Sequence, residues 1–165
     1  MSRVTASGHT VSAVTLPFTY QVASVGRTRD GDTYEWTVRI AHDLLRETVA
    51  RMYGYDTPET SRGKCGACGL YTSAGEKQRA TMALALAREF ITGPGDLWCR
   101  VDPDDPEDSF GRELVQVWHE IGDVATSLGQ VLVDAHLATV WPIRWHHVYD
   151  PFRNLPLLAL SGAGG

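Results

Sequence analysis

Tyr34, Trp36, Val38 and Ile40 alternate with Glu35, Thr37 and Arg39. A period of two, filled with aromatic and β-branched side chains, fits a strand with one face buried and does not fit a helix. Upstream, Leu16, Phe18, Tyr20 and Val22 alternate in the same way, and Arg29-Asp30-Gly31-Asp32 separates the two runs. Asp-Gly between alternating segments predicts a β-hairpin. The fold is therefore expected to start as a sheet near Thr15, with a third strand around Thr48 to Gly54.

Further along, the pattern changes. Tyr55 to Ala74 is rich in Gly, Thr, Ser and Cys and reads as a long loop, a length that usually serves function. Ala80, Ala83, Leu84, Ala87, Phe90 and Ile91 then recur at helical spacing, predicting a helix over Glu76 to Ile91 stopped by Gly93-Pro94-Gly95. Leu97 to Val101 and Leu114 to Trp118 read as strands on either side of an acidic loop. Val124, Leu128, Val131, Leu132 and Ala135 predict a second helix capped by Asp123. No internal repeat is visible.

A length of 165 residues with 43% hydrophobic and 21% charged residues fits one globular domain, expected over residues 15–150. Residues 1–14 are expected to be a flexible segment and residues 151–165 a flexible tail. No apolar run reaches the roughly 18 to 20 residues of a membrane span, and no basic head precedes an apolar block near Met1. The expectation is a cytoplasmic monomer without a membrane partner. The net charge of −5 would repel a polyanion, so any nucleic-acid role must rest on local geometry. Residues 95–125 hold nine acids against two bases, whereas residues 44–94 hold seven bases against five acids, so phosphate would approach the second segment more readily.

The three cysteines are an odd count, and a disulfide framework is not expected. Cys65 and Cys68 have the spacing of half a zinc site, which would need two more ligands such as His146 and His147; a redox role lacks the βαβ context it needs, and the plain reading is a flexible loop with two thiols.

The residues with chemistry to offer each have a plain structural reading. Asp30-Gly31-Asp32 makes a tight turn, and Asp56-Thr57-Pro58-Glu59 makes a helix cap with a capping box. Arg51 and Arg112 are ordinary surface arginines when taken singly. In order along the chain, however, stand Asp30-Gly31-Asp32-Thr33, then Arg51 followed by Asp56-Thr57-Pro58-Glu59, then Asp108-Ser109-Phe110-Gly111-Arg112, then a helix ending in His136-Leu137-Ala138. This ordered set, covering about Thr15 to Trp141, resembles the staphylococcal nuclease (thermonuclease) family.

The resemblance implies an α+β fold, an OB-like five-stranded β-barrel with two to three packed α-helices. It also implies a Ca²⁺-dependent nuclease that hydrolyses phosphodiester bonds of DNA, and RNA too, with low sequence specificity. By the same correspondence Asp32 and Asp56 would be carboxylate ligands of the cation, with the Thr57 carbonyl as a further oxygen. Glu59 would activate the attacking water as general base, and Arg51 and Arg112 would clamp the phosphate. Those residue types suit the chemistry: cationic groups must offset phosphodiester charge before a nucleophile can approach, and guanidinium forks grip two oxygens at once. An all-oxygen set favours a hard ion such as Ca²⁺ over zinc. The alternative is a non-catalytic OB-type module that binds nucleic acid or protein.

Two expectations remain geometric. Arg51 and Asp56 are an odd number of residues apart and would face opposite sides of a regular strand, so a strand end or bulge near Gly54 must bring them together. Trp141 is either a base-stacking aromatic beside the site or a core indole.

Overall fold

The structure, a computed structural model, describes residues 17–61, 63–64, 69 and 71–145. Strand β1 (Thr19–Thr28) turns at the predicted Asp-Gly into β2 (Thr33–Ala41), and Thr28 pairs with Tyr34 across the hairpin. A second hairpin leads into β3 (Leu44–Met52), with Ala41 opposite Leu44. β3 begins earlier than the alternation predicts because Leu44 to Glu47 are exposed on both faces, so no one-sided burial has shaped their pattern.

The chain continues through the short β4 (Tyr55–Asp56) to α1 (Ala74–Ile91), β5 (Asp96–Val101), β6 (Glu113–Ile121), β7 (Val124–Ser127), α2 (Leu128–Asp134) and β8 (Thr139–Val140). The sheet order β3-β2-β1-β5-β6-β7, with β6 also parallel to β3, closes β1, β2, β3, β5 and β6 into a five-stranded barrel. This is the expected OB-like α+β architecture, with two helices among the described residues. Closure leaves β7 as the edge strand and pairs β4 with β8 in a separate ribbon.

The barrel is filled by Tyr34, Trp36 and Val38 of β2, Met52 of β3, Cys99 of β5, and Val115 and Val117 of β6. Ala83 and Ala87 of α1 and Leu128 and Leu132 of α2 complete this core. Helix α1 buries the stripe Glu76, Ala80, Ala83, Ala87 and Ile91, and its Ser73 cap accepts the Glu76 amide at 3.0 Å.

The second helix corrects the sequence reading. Val124 belongs to β7, paired with Ile121 in a tight hairpin, so Asp123 is a turn residue; Ser127 caps the helix and accepts from the Gln130 amide. Val124 and Leu128 satisfy both a helical and an extended pattern over so short a stretch, and the hairpin takes the first of them. Asp56 likewise caps no helix, because it lies in β4, opposite Thr139. Cys65, Cys68, His146, His147 and the two terminal segments lie outside the described residues. Among the described residues no helix is long and apolar enough to cross a membrane.

Candidate functional site

The β1–β2 turn, the end of β3, and β4 with the residues after it bring the predicted acids together. Two glycines make this possible. Gly54, at φ +80°, turns the chain between β3 and β4, and the Nη2 of Arg51 consequently reaches Oδ1 of Asp56 at 3.2 Å. At Gly31 a Cβ would stand 3.0 Å from the Ala83 Cβ and 3.1 Å from the Thr57 Cγ2, so only glycine lets helix α1 and Thr57 press this close to the turn. Arg88 adds a hydrogen bond from α1 to the Thr28 carbonyl at 3.3 Å.

Asp32 is 2% exposed. Its Oδ1 accepts from Nη1 of Arg51 at 3.0 Å and from the Thr33 hydroxyl at 3.2 Å, and its Oδ2 accepts the Thr57 amide at 3.1 Å. The second acid, Asp56, uses Oδ1 for Arg51 and Oδ2 for the Trp145 amide at 2.9 Å. One guanidinium thus bridges two carboxylates.

Arg112 enters from the far side. Its Nη1 donates to the Thr33 hydroxyl at 3.4 Å, which connects it to Asp32 through one side chain. The rest of its fork is held by Asp108, whose Oδ2 lies 2.7 Å from both Nε and Nη2. Asp108 also accepts the Phe110 and Arg112 amides, so the Asp-x-Phe-Gly-Arg stretch is a folded clip that fixes the arginine in place. Burial opposes ionisation of Asp108, but these hydrogen bonds outweigh it and hold its carboxyl below the usual carboxylate range.

Acid charge is in excess around Arg51. Burial, then the neighbouring charge of Asp32, raises the Asp30 carboxyl to about 7. Glu59 is raised as well, again first by burial and then by Asp32. Burial raises Asp56 and Asp32 adds to it, against the Trp145 amide, Arg51 and Arg144. For Arg51 burial works to lower its pKa, yet Asp32, Asp56, Asp30 and Glu59 together raise it. Glu59 therefore shares an electrostatic neighbourhood with the bridged pair.

Of the predicted residues, Asp32, Arg51 and Asp56 are in direct contact, Thr57 binds Asp32 by its amide, Glu59 lies within charge–charge range, and Arg112 joins through Thr33. Trp141 is half exposed, with the Arg144 guanidinium 5.6 Å from its ring centre, which removes the core-indole alternative; Trp145, by contrast, is buried. Asp30 and Thr33 stand in the Asp-Gly-Asp-Thr stretch without a role of their own in the sequence reading, and Arg144 and Trp145 are not marked by it at all. Asp30 carries a signal, since two acids flanking one glycine must sit close. Trp145 acts through its main chain, which leaves no mark in side-chain identity.

Among the described residues no three acidic, histidine or cysteine side chains form a metal-holding group by themselves. A cation here would draw on Asp32 and Asp56, a backbone oxygen and water, as hard ions accept. The composition of the cluster fits that demand, because Asp30, Asp32, Asp56 and Glu59 all act on the one guanidinium of Arg51. Cys99 is no rival centre: burial, then Glu113, pushes its thiol up to about 12, far from a reactive thiolate.

The fold and site define an OB-like barrel with an acid-rich, arginine-bridged cluster beside its first hairpin. Comparison with protein-family models gives no match to this chain, and comparison with curated proteins gives no similar sequence.

Proposed function

We propose that the protein is a Ca²⁺-dependent nuclease that hydrolyses phosphodiester bonds of DNA and RNA with little base preference. The observation that carries this reading is the convergence of Asp32, Arg51, Asp56 and Glu59, far apart in sequence, with Arg112 linked through Thr33. A module that only binds has no use for a carboxylate set beside such a cluster as a base.

Asp32, Asp56 and the Thr57 carbonyl would hold the ion, which supplies positive charge for the phosphoryl oxygens. Arg51 and Arg112 bind the same phosphate from two sides, each with a planar fork that keeps its charge at any working pH. Glu59 takes the proton of the attacking water. Its raised pKa suits this role, since a base works best when its pKa approaches the operating pH. Positioning by the arginines and charge offset then lower the barrier to in-line displacement.

The acidic stretch Asp102 to Asp108 and the pairing of Arg112 with Asp108 favour the second reading, an OB-type binder without turnover. Digestion of single- and double-stranded DNA with Ca²⁺, with Mg²⁺ and with a chelator separates the two. Cleavage with Ca²⁺ that stops on chelation is expected. Retention of intact strands under all three conditions sinks the nuclease and leaves the binder.

A further inference from the structure

Helix α1 carries a side chain that its packing does not require. Four of the five positions on its buried stripe are Ala80, Ala83, Ala87 and Ile91, which seat the helix against the barrel. The fifth is Glu76, 1% exposed. An alanine there would continue the stripe and favour the helix, whereas a buried carboxyl must find hydrogen-bond partners to be tolerated. Ser73 and Glu76 have the spacing of a capping box, whose acid ordinarily serves the helix's own first turn. Here Oε1 of Glu76 accepts the backbone amide of Glu59 at 3.4 Å, across seventeen residues of chain.

Glu59 follows β4 on a stretch without helix or strand, so its strands do not fix its direction. The supports on this side of the molecule come from α1: Ala83 against Gly31 and Thr57, Arg88 on the Thr28 carbonyl, and Glu76 on the Glu59 amide. We propose that Glu76 is a positioning residue for Glu59, holding the backbone of the base so that its carboxylate faces the cluster of Asp32, Arg51 and Asp56. The inference rests on the nuclease reading, and it assigns to α1 a part in the reaction that needs an acceptor of glutamate's reach.

Two substitutions separate reach from charge. Glu76→Gln keeps the length and an acceptor oxygen; Glu76→Asp keeps the charge and withdraws it by one methylene. On single-stranded DNA with Ca²⁺, Glu76→Asp is expected to lower kcat on the order of 10²-fold with KM unchanged, the effect of a displaced reacting group. Glu76→Gln is expected to turn over like the wild type. In a cycle with Glu59→Gln, the double variant Glu59→Gln/Glu76→Asp is expected to be no slower than Glu59→Gln alone, because the position of an absent base cannot matter.

Wild-type kcat in Glu76→Asp, or an equal loss in both backgrounds, overturns the positioning role while a slow Glu59→Gln leaves the nuclease reading standing. Wild-type turnover in Glu59→Gln overturns that reading and this one with it. Melting curves accompany the kinetics; should Glu76→Asp not fold, Glu76→Gln decides alone, and a loss of turnover there overturns the proposal.

Discussion

Nη1 of Arg51 donates to Oδ1 of Asp32 across 3.0 Å, and only 3% of that aspartate side chain is exposed. The other end of the fork holds Asp56 at 3.2 Å. Removing one member of a buried charged set is strongly destabilising, because it leaves the partners uncompensated. Arg51→Ala is therefore expected to lower unfolding stability by about 3–5 kcal/mol at pH 8 without Ca²⁺. Urea denaturation measures this. Added Ca²⁺ should restore part of the stability and none of the turnover; an unchanged midpoint would show that the bridge carries no weight.

Glu59 and Asp32 have different expected losses. Glu59→Gln should bind Ca²⁺ like the wild type in calorimetry while turnover drops by about 10² to 10⁴, the usual span for a missing general base. Asp32→Ala should lose Ca²⁺ binding as well. Equal Ca²⁺ affinity in both variants would remove Asp32 from the ion.

Arg112 depends on its clip. Arg112→Ala is expected to depress turnover, and Arg112→Lys should not restore it, because a point charge lacks the fork that Asp108 aligns at 2.7 Å. Steady-state kinetics decide, and wild-type rates in either variant take Arg112 out of the phosphate clamp.

Much of this was legible before any coordinates. The β1–β2 hairpin was readable because Asp-Gly falls between two alternating runs, and α1 because its alanines recur on one face. Arg51 and Asp56 required a turn near Gly54, and that turn is present. What escaped had a physical reason. The start of β3 is exposed on both faces and has no period to read, and Val124 fits two patterns until Ile121 claims it across a hairpin. The Trp145 amide and the Glu76 carboxyl meet the site across long stretches of chain, where spacing carries no information.

Stability should vary with pH in an unusual direction. The Asp30 carboxyl stands at about 7 when folded against 3.8 ordinarily, and Asp56 and Glu59 are raised too. Between those values the folded chain binds more protons than the unfolded chain, so stability falls as pH rises through about 7 and is greatest toward pH 4. The Ca²⁺-free protein is expected to melt higher at pH 5.5 than at pH 7.5, and Asp30→Asn to flatten the difference. Scanning calorimetry at both values tests this, and a higher melting point at pH 7.5 would contradict the raised acids.

Trp141 gives the last expectation. Its ring is 50% exposed, its amide binds the Gly54 carbonyl at 2.9 Å, and that glycine makes the turn bringing Arg51 to Asp56. An indole so placed, with Arg144 against it, would offer a flat face beside the proposed phosphate site to any base that is free of a duplex. Stacking on an aromatic side chain contributes about 1–3 kcal/mol per base and tolerates every sequence, in keeping with a nuclease of low specificity. Trp141→Ala should raise KM for a short single-stranded oligonucleotide by about tenfold, equivalent to about 1.4 kcal/mol, and leave kcat alone. Trp141→Phe, which retains a ring, should recover most of the loss. If alanine leaves KM as it was, the indole is not where the base rests.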